Sequence, residues 1–328
     1  MGWFRLLTLV LMVALAAGCS LAGTQPATGV PAPAAAAFSD DTPELAQPLT
    51  PLPTAEHPCG SMAGSAPHVD HVLVLMMENH AAPVLAAMPR LQAIARRCGR
   101  ATGYHAVSHP SLPNYLALTG GRIPAAVAGS DCDPGGSCVS TGPSVFSQTG
   151  GSWRVWAQAM PRPCQRLNQG TYAVRHTAAP YYTGLRSQCR ARQVPLGDRT
   201  RGLAAALAAG RLPAFGLLVP DITDDQHDGC VACGDRFAAR WLGRIIASDA
   251  YRRGQVAVFV TWDEDDFGHR NHVPLVVVSP YTQAGLRVAG SFTHYALLRT
   301  VEKTLGYPPL GRARQAPNTF GRALGLTG

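Results

Sequence analysis

Short runs of apolar residues alternate with helix-like segments through most of this 328-residue chain. The runs are VDHVLVLMM (69–77), PAFGLLVPD (213–221), QVAVFVTWDEDD (255–266) and VPLVVVSPY (273–281). Strands that are buried on both faces have such continuous apolar sequences, and strands that alternate with helices pair in parallel. The pattern predicts an α/β fold with a mostly parallel central sheet and helices on both faces, formed by residues 59–328.

The N-terminus has the features of an export signal. Arg5 precedes the apolar stretch LLTLVLMVALAAG (6–18), which is short for a membrane span and ends in small residues before Cys19. This arrangement resembles the lipobox of bacterial lipoproteins, so we expect residues 1–18 to be a signal peptide and Cys19 to be lipidated. An ordinary signal peptide is the alternative. Residues 19–58 are rich in proline and alanine and predict a disordered tether.

The cysteine count fits an exported protein. The chain has nine cysteines, and Cys19 is one of them. An even remainder in an exported chain predicts disulfides. Pairing of sequence neighbours gives Cys59–Cys98, Cys132–Cys138, Cys164–Cys189 and Cys230–Cys233, although the motif CVAC (230–233) could instead bind zinc or act as a redox pair.

Polar residues follow three of the apolar runs, at the points where the predicted strands end. They are Glu78, Asn79, Asp221, Asp224, Asp225, His227, Asp263, Glu264, Asp265 and Asp266. Ligands of open α/β sheets bind beyond the carboxyl ends of the strands. Carboxylate and amide oxygens suit Mg²⁺, Ca²⁺ or Mn²⁺, so the sequence predicts one divalent metal site, with solvated loop acids as the alternative. Glu78 and Asn79 can both reach one ion only if the strand has ended and turned.

The segment SHPSLPNYLALTGG (108–121) offers a candidate nucleophile. Pro113 fits the first turn of a helix, which places Ser111 near the helix N-terminus, where backbone N–H groups favour an anion. Serine needs a base or a metal to become nucleophilic. Asn114 is a candidate donor to a developing oxyanion. Taken alone, a serine at this position is more commonly a plain helix-capping residue.

Four motifs together resemble a known family. VLVLMMEN, SHPSLPNYLALTGG, WDEDDFGHRNHVPLVVVSPY and HYALLRTVEKTLG are similar, over about residues 69–315, to the bacterial phosphoesterase family of secreted acid phosphatases and phospholipases C, in the alkaline-phosphatase-like superfamily. The resemblance implies the alkaline-phosphatase-like fold, Ser111 as nucleophile and Asn114 as phosphoryl ligand. The implied metal ligands are Glu78, Asn79, Ser111, Asp263 and Glu264. The implied contacts to phosphate or leaving group are His227 and His272, and then His109 and His176.

These observations predict a metal-dependent phosphoric ester hydrolase, most simply an acid phosphatase that cleaves phosphomonoesters through a phosphoserine at Ser111. The alternatives are a phospholipase C acting on phosphodiester lipids and a non-catalytic lipoprotein that binds metal or phosphate. The expected substrate is a small phosphate ester or a lipid headgroup. The net charge of +8 comes from scattered arginines, so no nucleic-acid partner is expected. We expect a monomer, exported and either lipid-anchored on the outer face of the bacterial membrane or secreted.

Overall fold

The computed structural model describes residues 53–66, 69–317 and 319–327. The predicted signal peptide, Cys19 and most of the predicted tether lie outside these residues. The strands are β1 His71–Met77, β2 Gly99–Ala101, β3 Tyr104–His105, β4 Trp153–Ala157, β5 Gln193–Pro195, β6 Phe215–Val219, β7 Val256–Trp262, β8 Leu275–Val278, β9 Arg287–Val288 and β10 Phe292–Thr293.

The α-helices are α1 Pro89–Arg97, α2 Ser111–Gly120, α3 Val145–Gln148, α4 Cys189–Arg192, α5 Leu203–Ala208, α6 Val231–Ile246, α7 Asp249–Arg252, α8 His294–Thr304 and α9 Thr319–Ala323. Short 3₁₀ helices cover Ala82–Ala87, Val174–Thr177, Ala179–Tyr181, Thr183–Leu185 and Gly311–Gln315. Within the described ranges, none of these helices is long and apolar enough to cross a bilayer.

The central sheet has eight strands in the order β5-β4-β6-β1-β7-β8-β2-β9. All neighbouring pairs are parallel except the two that involve β8, which runs antiparallel to β7 and to β2. This arrangement confirms the predicted mostly parallel sheet. A second, two-stranded sheet joins β3 to β10.

Helices cover both faces of the sheet because its central strands are apolar on both sides. Leu73 and Leu75 of β1 line an apolar cavity with Trp241 and Ile245 of α6. The alternate residues of β1 point to the opposite face. A second group of helices, α2, α3, α8 and α9, packs together separately from the group that contains α1, α5, α6 and α7.

Four disulfides join the predicted cysteine pairs. The bonds are Cys59–Cys98, Cys132–Cys138, Cys164–Cys189 and Cys230–Cys233. The bonded cysteines of CVAC offer no free thiol pair to bind zinc. Four disulfides in one domain are typical of proteins that mature in an oxidising compartment.

Candidate active site

Ser111 is the first residue of α2 and is fully buried at the carboxyl edge of the sheet. Its Oγ donates a hydrogen bond to Glu78 Oε2 at 2.9 Å. Pro110 precedes it as the N-cap residue, without a side-chain hydrogen bond to the helix. The helix ends at Gly121, which has a left-handed φ of 66°. The side chain of Ser111 therefore bonds to Glu78 and does not cap α2.

The carboxylate of Glu78 is buried and lies among several polar groups. Tyr115 OH donates to Glu78 Oε1, and His176 Nε2 lies 3.3 Å from Glu78 Oε2. Burial, followed by the charges of Asp263 and Asp225, raises the pKa of Glu78 well above its usual value. A negative charge on Glu78 therefore requires a positive partner.

Three predicted ligands each present a buried oxygen without a hydrogen-bond partner among the described residues: Asn79 Oδ1, Asp263 Oδ2 and Glu264 Oε2. Glu264 Oε2 lies 2.8 Å from His109 Nδ1, but not in hydrogen-bonding alignment. Unpartnered buried oxygens are costly in a folded protein. A hard divalent cation binds such oxygens, so the donor set fits the predicted metal.

Burial also raises the pKa of the other carboxyl groups near Glu78. The pKa of Asp263 rises to about 7, and that of Asp225 to about 8. For Glu264, burial and then the charge of Asp263 raise the pKa to about 9. In each case loss of water disfavours the ionised form. A bound cation would favour ionisation of all four groups.

His176 links Glu78 to a further carboxylate, Asp225. Its Nδ1 lies 3.1 Å from Asp225 Oδ2, and ligand atoms of Glu78, His176 and Asp225 all lie within 4.8 Å of one another. Burial lowers the pKa of His176 well below its usual value, so the ring is neutral. Asp225 is a member of this cluster that the family motifs did not identify, although its position after a strand marked it.

His227 and His109 lie at the border of the cluster. The backbone N–H of His227 donates to Asp225 Oδ1 at 2.8 Å, and its Nε2 lies 3.2 Å from Arg175 Nη2. His227 Nδ1 lies 2.6 Å from Asp228 Oδ1. His109 contacts Glu264 as described above. His109 therefore lies beside the predicted ligand Glu264, whereas His227 lies beside Asp225.

His272 lies elsewhere. Its Nε2 is 3.0 Å from the carbonyl oxygen of Thr102, and its ring centroid is 5.1 Å from that of His105. These contacts hold the side chain of His272 beside β3. They do not connect it to Ser111 or Glu78.

Asn114 organises the loop before Ser111. Its Oδ1 accepts hydrogen bonds from the backbone N–H groups of Val107 and Ser108, both at 3.0 Å. Its Nδ2 donates to the carbonyls of Ser108 and Pro110 at 2.9 and 3.3 Å. Both amide hydrogens are in use, so donation to a phosphoryl oxygen requires one of these bonds to break.

His294 contacts the backbone of Asp263, and the sequence analysis did not single it out. Its Nε2 lies 2.7 Å from the carbonyl oxygen of Asp263, and its Nδ1 lies 2.8 Å from Tyr104 OH. A carbonyl oxygen only accepts, so Nε2 carries the proton and Nδ1 accepts from the tyrosine. Burial lowers the pKa of His294 to about 4, which agrees with a neutral ring.

The structure places a buried serine beside a cluster of carboxylate and amide oxygens at the carboxyl ends of parallel strands, where open α/β proteins bind their ligands. The profile of the Phosphoesterase family matches residues 84–308. The chain belongs to the Phosphoesterase family. This membership confirms the prediction of a hydrolase that acts on phosphoric esters.

Comparisons with known proteins agree with this assignment. The chain is 26% identical over 264 residues to a phosphatidylinositol-3-phosphatase of Mycobacterium tuberculosis, covering 79% of this chain and 84% of that protein. It is 26% identical over 227 residues to an acid phosphatase of Aspergillus fumigatus, covering 64% of this chain and 49% of that longer protein. Its fold is similar to a Vibrio parahaemolyticus protein of the alkaline phosphatase superfamily, with a TM-score of 0.56, 12% identity and coverage of 77% and 72%.

Proposed function

We propose that the chain is a metal-dependent acid phosphatase that cleaves phosphomonoesters, with Ser111 as the nucleophile. The observation that carries this proposal is the 2.9 Å hydrogen bond from Ser111 Oγ to Glu78, in a cluster of buried and unpartnered ligand oxygens. Glu78, Asn79, Ser111, Asp263 and Glu264 would hold the divalent cation, Mg²⁺, Ca²⁺ or Mn²⁺. When bound, the cation lowers the pKa of the serine hydroxyl and offsets negative charge on the phosphoryl group.

The residues of the chain supply the remaining steps. The hydroxyl of Ser111 donates to Glu78 Oε2 in the resting enzyme. Glu78 Oε2 accepts this proton as Oγ attacks phosphorus in line, and returns it to Oγ when the phosphoserine is hydrolysed. The bond from phosphorus to the alcohol oxygen breaks as the new bond forms, which gives phosphoserine. In its protonated form, with Nε2 released from Arg175, His227 gives its Nε2 proton to the leaving alcohol. It then accepts a proton at the same atom from the water that hydrolyses phosphoserine.

Replacement of the nucleophile tests this mechanism. Ser111→Ala should abolish release of p-nitrophenol from p-nitrophenyl phosphate, while Ser187→Ala, a change at an exposed serine, should have wild-type activity. Full activity of Ser111→Ala, or absence of a phosphorylated Ser111 peptide after acid quenching, would exclude the phosphoserine route. Absence of turnover in the wild-type protein would instead favour the non-catalytic alternative.

The cation requirement is tested separately. Exhaustive chelation should remove activity, and re-addition of Mg²⁺, Ca²⁺ or Mn²⁺ one at a time should identify the ion that restores it. Activity that survives chelation between acid and neutral pH would contradict the ligand assignment of Glu78, Asn79, Asp263 and Glu264.

A phosphodiester lipid is the second candidate substrate. Phe267 is 76% exposed, and its ring stacks on His109 at 4.2 Å between centroids, so an apolar side chain lies beside the candidate site. The mycobacterial relative is named for a phosphorylated lipid headgroup. Turnover of p-nitrophenyl phosphate, phosphatidylinositol 3-phosphate and phosphatidylcholine in vesicles should be compared. Diacylglycerol release from phosphatidylcholine without phosphomonoester cleavage would favour a phospholipase C.

The proposed site of action is the outer face of the bacterial membrane. The four disulfides support export. We propose that a signal peptide over residues 1–18 directs lipidation of Cys19, and that a tether over 19–58 carries the phosphoesterase domain over 59–328. Cys19→Ala should move the protein from the membrane fraction to the medium, and unchanged membrane association would exclude this anchor.

A further inference from the structure

Asp131 binds two groups that would attract the phosphoryl group of a substrate. Its Oδ1 accepts a hydrogen bond from the backbone N–H of Leu112, the residue after Ser111, at 2.8 Å. Its Oδ2 lies 3.3 Å from the Nε of Arg175, an ion pair that is not aligned for a hydrogen bond. An acidic side chain thus connects the N-terminus of α2 to a guanidinium group.

These two groups neighbour residues that the proposed reaction uses. The N–H groups at a helix N-terminus and the helix dipole favour negative charge, and Leu112 N–H belongs to the turn that holds Ser111. Arg175 supplies a full positive charge, and its Nη2 lies 3.2 Å from Nε2 of His227, the proposed acid. Leu112 N–H therefore lies next to the proposed nucleophile, and Arg175 lies next to the proposed acid.

Asp131 can leave these donors without unfolding the surrounding loop. Its side chain is 30% exposed, so water can solvate the carboxylate when it turns outward. The following loop is fixed independently by the Cys132–Cys138 disulfide, by Tyr181 OH donating to the Cys132 carbonyl at 2.9 Å, and by Arg166 donating to the Pro134 carbonyl at 2.8 Å.

We propose that Leu112 N–H and Arg175 form a binding subsite for phosphoryl oxygens, and that the carboxylate of Asp131 occupies this subsite in the resting enzyme. The inference rests on the proposed function, because it assumes that the substrate is a phosphate ester. A phosphate ester or inorganic phosphate must displace Asp131, because two anions cannot share the same donors. Asp131 thereby weakens binding of phosphate and favours release of the product.

Equilibrium binding of inorganic phosphate tests this proposal directly. Asp131→Asn keeps an oxygen that can accept from Leu112 N–H but removes the competing charge, so it should lower the dissociation constant of phosphate by about tenfold in calorimetry. Asp133→Asn makes the same charge change in the same loop at an exposed residue and should match the wild-type protein. Arg175→Gln should weaken phosphate binding. Unchanged or weaker binding to Asp131→Asn would overturn the proposal, as would absence of phosphate binding to all four proteins.

NMR of the wild-type protein gives a second test that does not depend on a variant folding. Saturating phosphate should change the chemical shift of the Asp131 carboxyl carbon, because this carboxylate leaves the N–H of Leu112. An unchanged Asp131 carboxyl shift would contradict the displacement. Neither measurement needs turnover, so tighter phosphate binding by Asp131→Asn in an inactive enzyme would refute the proposed function alone. An active enzyme whose Asp131→Asn variant binds phosphate normally would refute this inference alone.

Discussion

Met77 and Trp262 are register partners in the parallel pair β1–β7, so the residues that follow them leave the same edge of the sheet side by side. The backbone N–H of Asp263 donates to the Met77 carbonyl at 3.1 Å, which extends the pairing by one residue. Asn79 then turns with a left-handed φ of 43°, and its N–H donates to Asp263 Oδ1 at 3.3 Å. Strand register therefore sets the spacing of the proposed ligands Glu78 and Asp263.

Removal of one ligand charge should abolish both metal binding and turnover. Asp263→Asn preserves the shape of the side chain, but it removes the charge that the cation needs, so kcat/KM should fall by more than about 100-fold. Bound metal, measured by mass spectrometry of the purified protein, should fall in parallel. Asp249→Asn, at an exposed residue of α7, should change neither quantity. An Asp263→Asn variant that retains its metal would remove Asp263 from the ligand set.

The metal-free protein should become less stable as the pH rises from about 5 to 8. The folded-state pKa values of Asp263, Asp225 and Glu264 are raised to about 7, 8 and 9 by burial. The folded state therefore keeps protons that the unfolded state has lost, and the free energy of unfolding falls with rising pH. Thermal unfolding of chelated protein across this range should show a falling midpoint, and addition of the activating cation should restore it most strongly at the higher pH.

Glu302 provides the control for this pH effect. It lies outside the candidate site, and burial raises its pKa to about 8, so it also lowers stability as the pH rises. Glu302→Gln should reduce the fall of the unfolding midpoint with rising pH. The part of this fall that the activating cation reverses should be unchanged. A metal-free midpoint that is independent of pH in both proteins would contradict the raised pKa values of the cluster.

Asn114 should act by positioning the loop that carries Ser111. Asn114→Asp keeps the oxygen that accepts from the Val107 and Ser108 N–H groups, but it loses both donated hydrogen bonds. Its negative charge is also repelled by the two carbonyl oxygens that accepted them. We expect the free energy of unfolding to fall by about 2 kcal/mol and kcat to fall with little change in the phosphate dissociation constant. Asn168→Asp, which keeps the only hydrogen bond described for that side chain, should be neutral. Weaker phosphate binding with unchanged stability would instead support a direct phosphoryl contact.

The sheet, the disulfides and the placement of polar strand-end residues at one edge follow from local sequence. The choice of Glu78, Asn79, Ser111, Asp263 and Glu264 among them rests on the resemblance to the family. Buried strands have recognisable apolar runs, and parallel strands bring their carboxyl ends to one edge. Cysteines close in sequence pair with little loss of chain entropy. These features are short-range or depend on general rules of topology.

The groups that support the cluster follow from tertiary packing, which the local pattern does not encode. The sequence around Tyr115 predicts only an apolar residue of a helix, yet its hydroxyl donates to Glu78. Arg175 and His294 reach the site from distant segments. His272 follows a strand-end motif, but an isolated bridge between His105 and His272 holds it beside β3. Contacts of this kind depend on how loops cross the sheet edge.

The loss of activity caused by replacing His227 should be larger for substrates with a more basic leaving group. It is held by Asp225 and Asp228 next to Arg175, where a leaving alcohol would depart. p-Nitrophenolate leaves without a proton, whereas an alkoxide requires one, so His227→Gln should lower kcat/KM by about 100-fold for glycerol 2-phosphate and only slightly for p-nitrophenyl phosphate. His272→Gln should affect both substrates equally, because its described contacts are with Thr102 and His105. A leaving-group-dependent loss in His272→Gln, with none in His227→Gln, would transfer the acid role to His272.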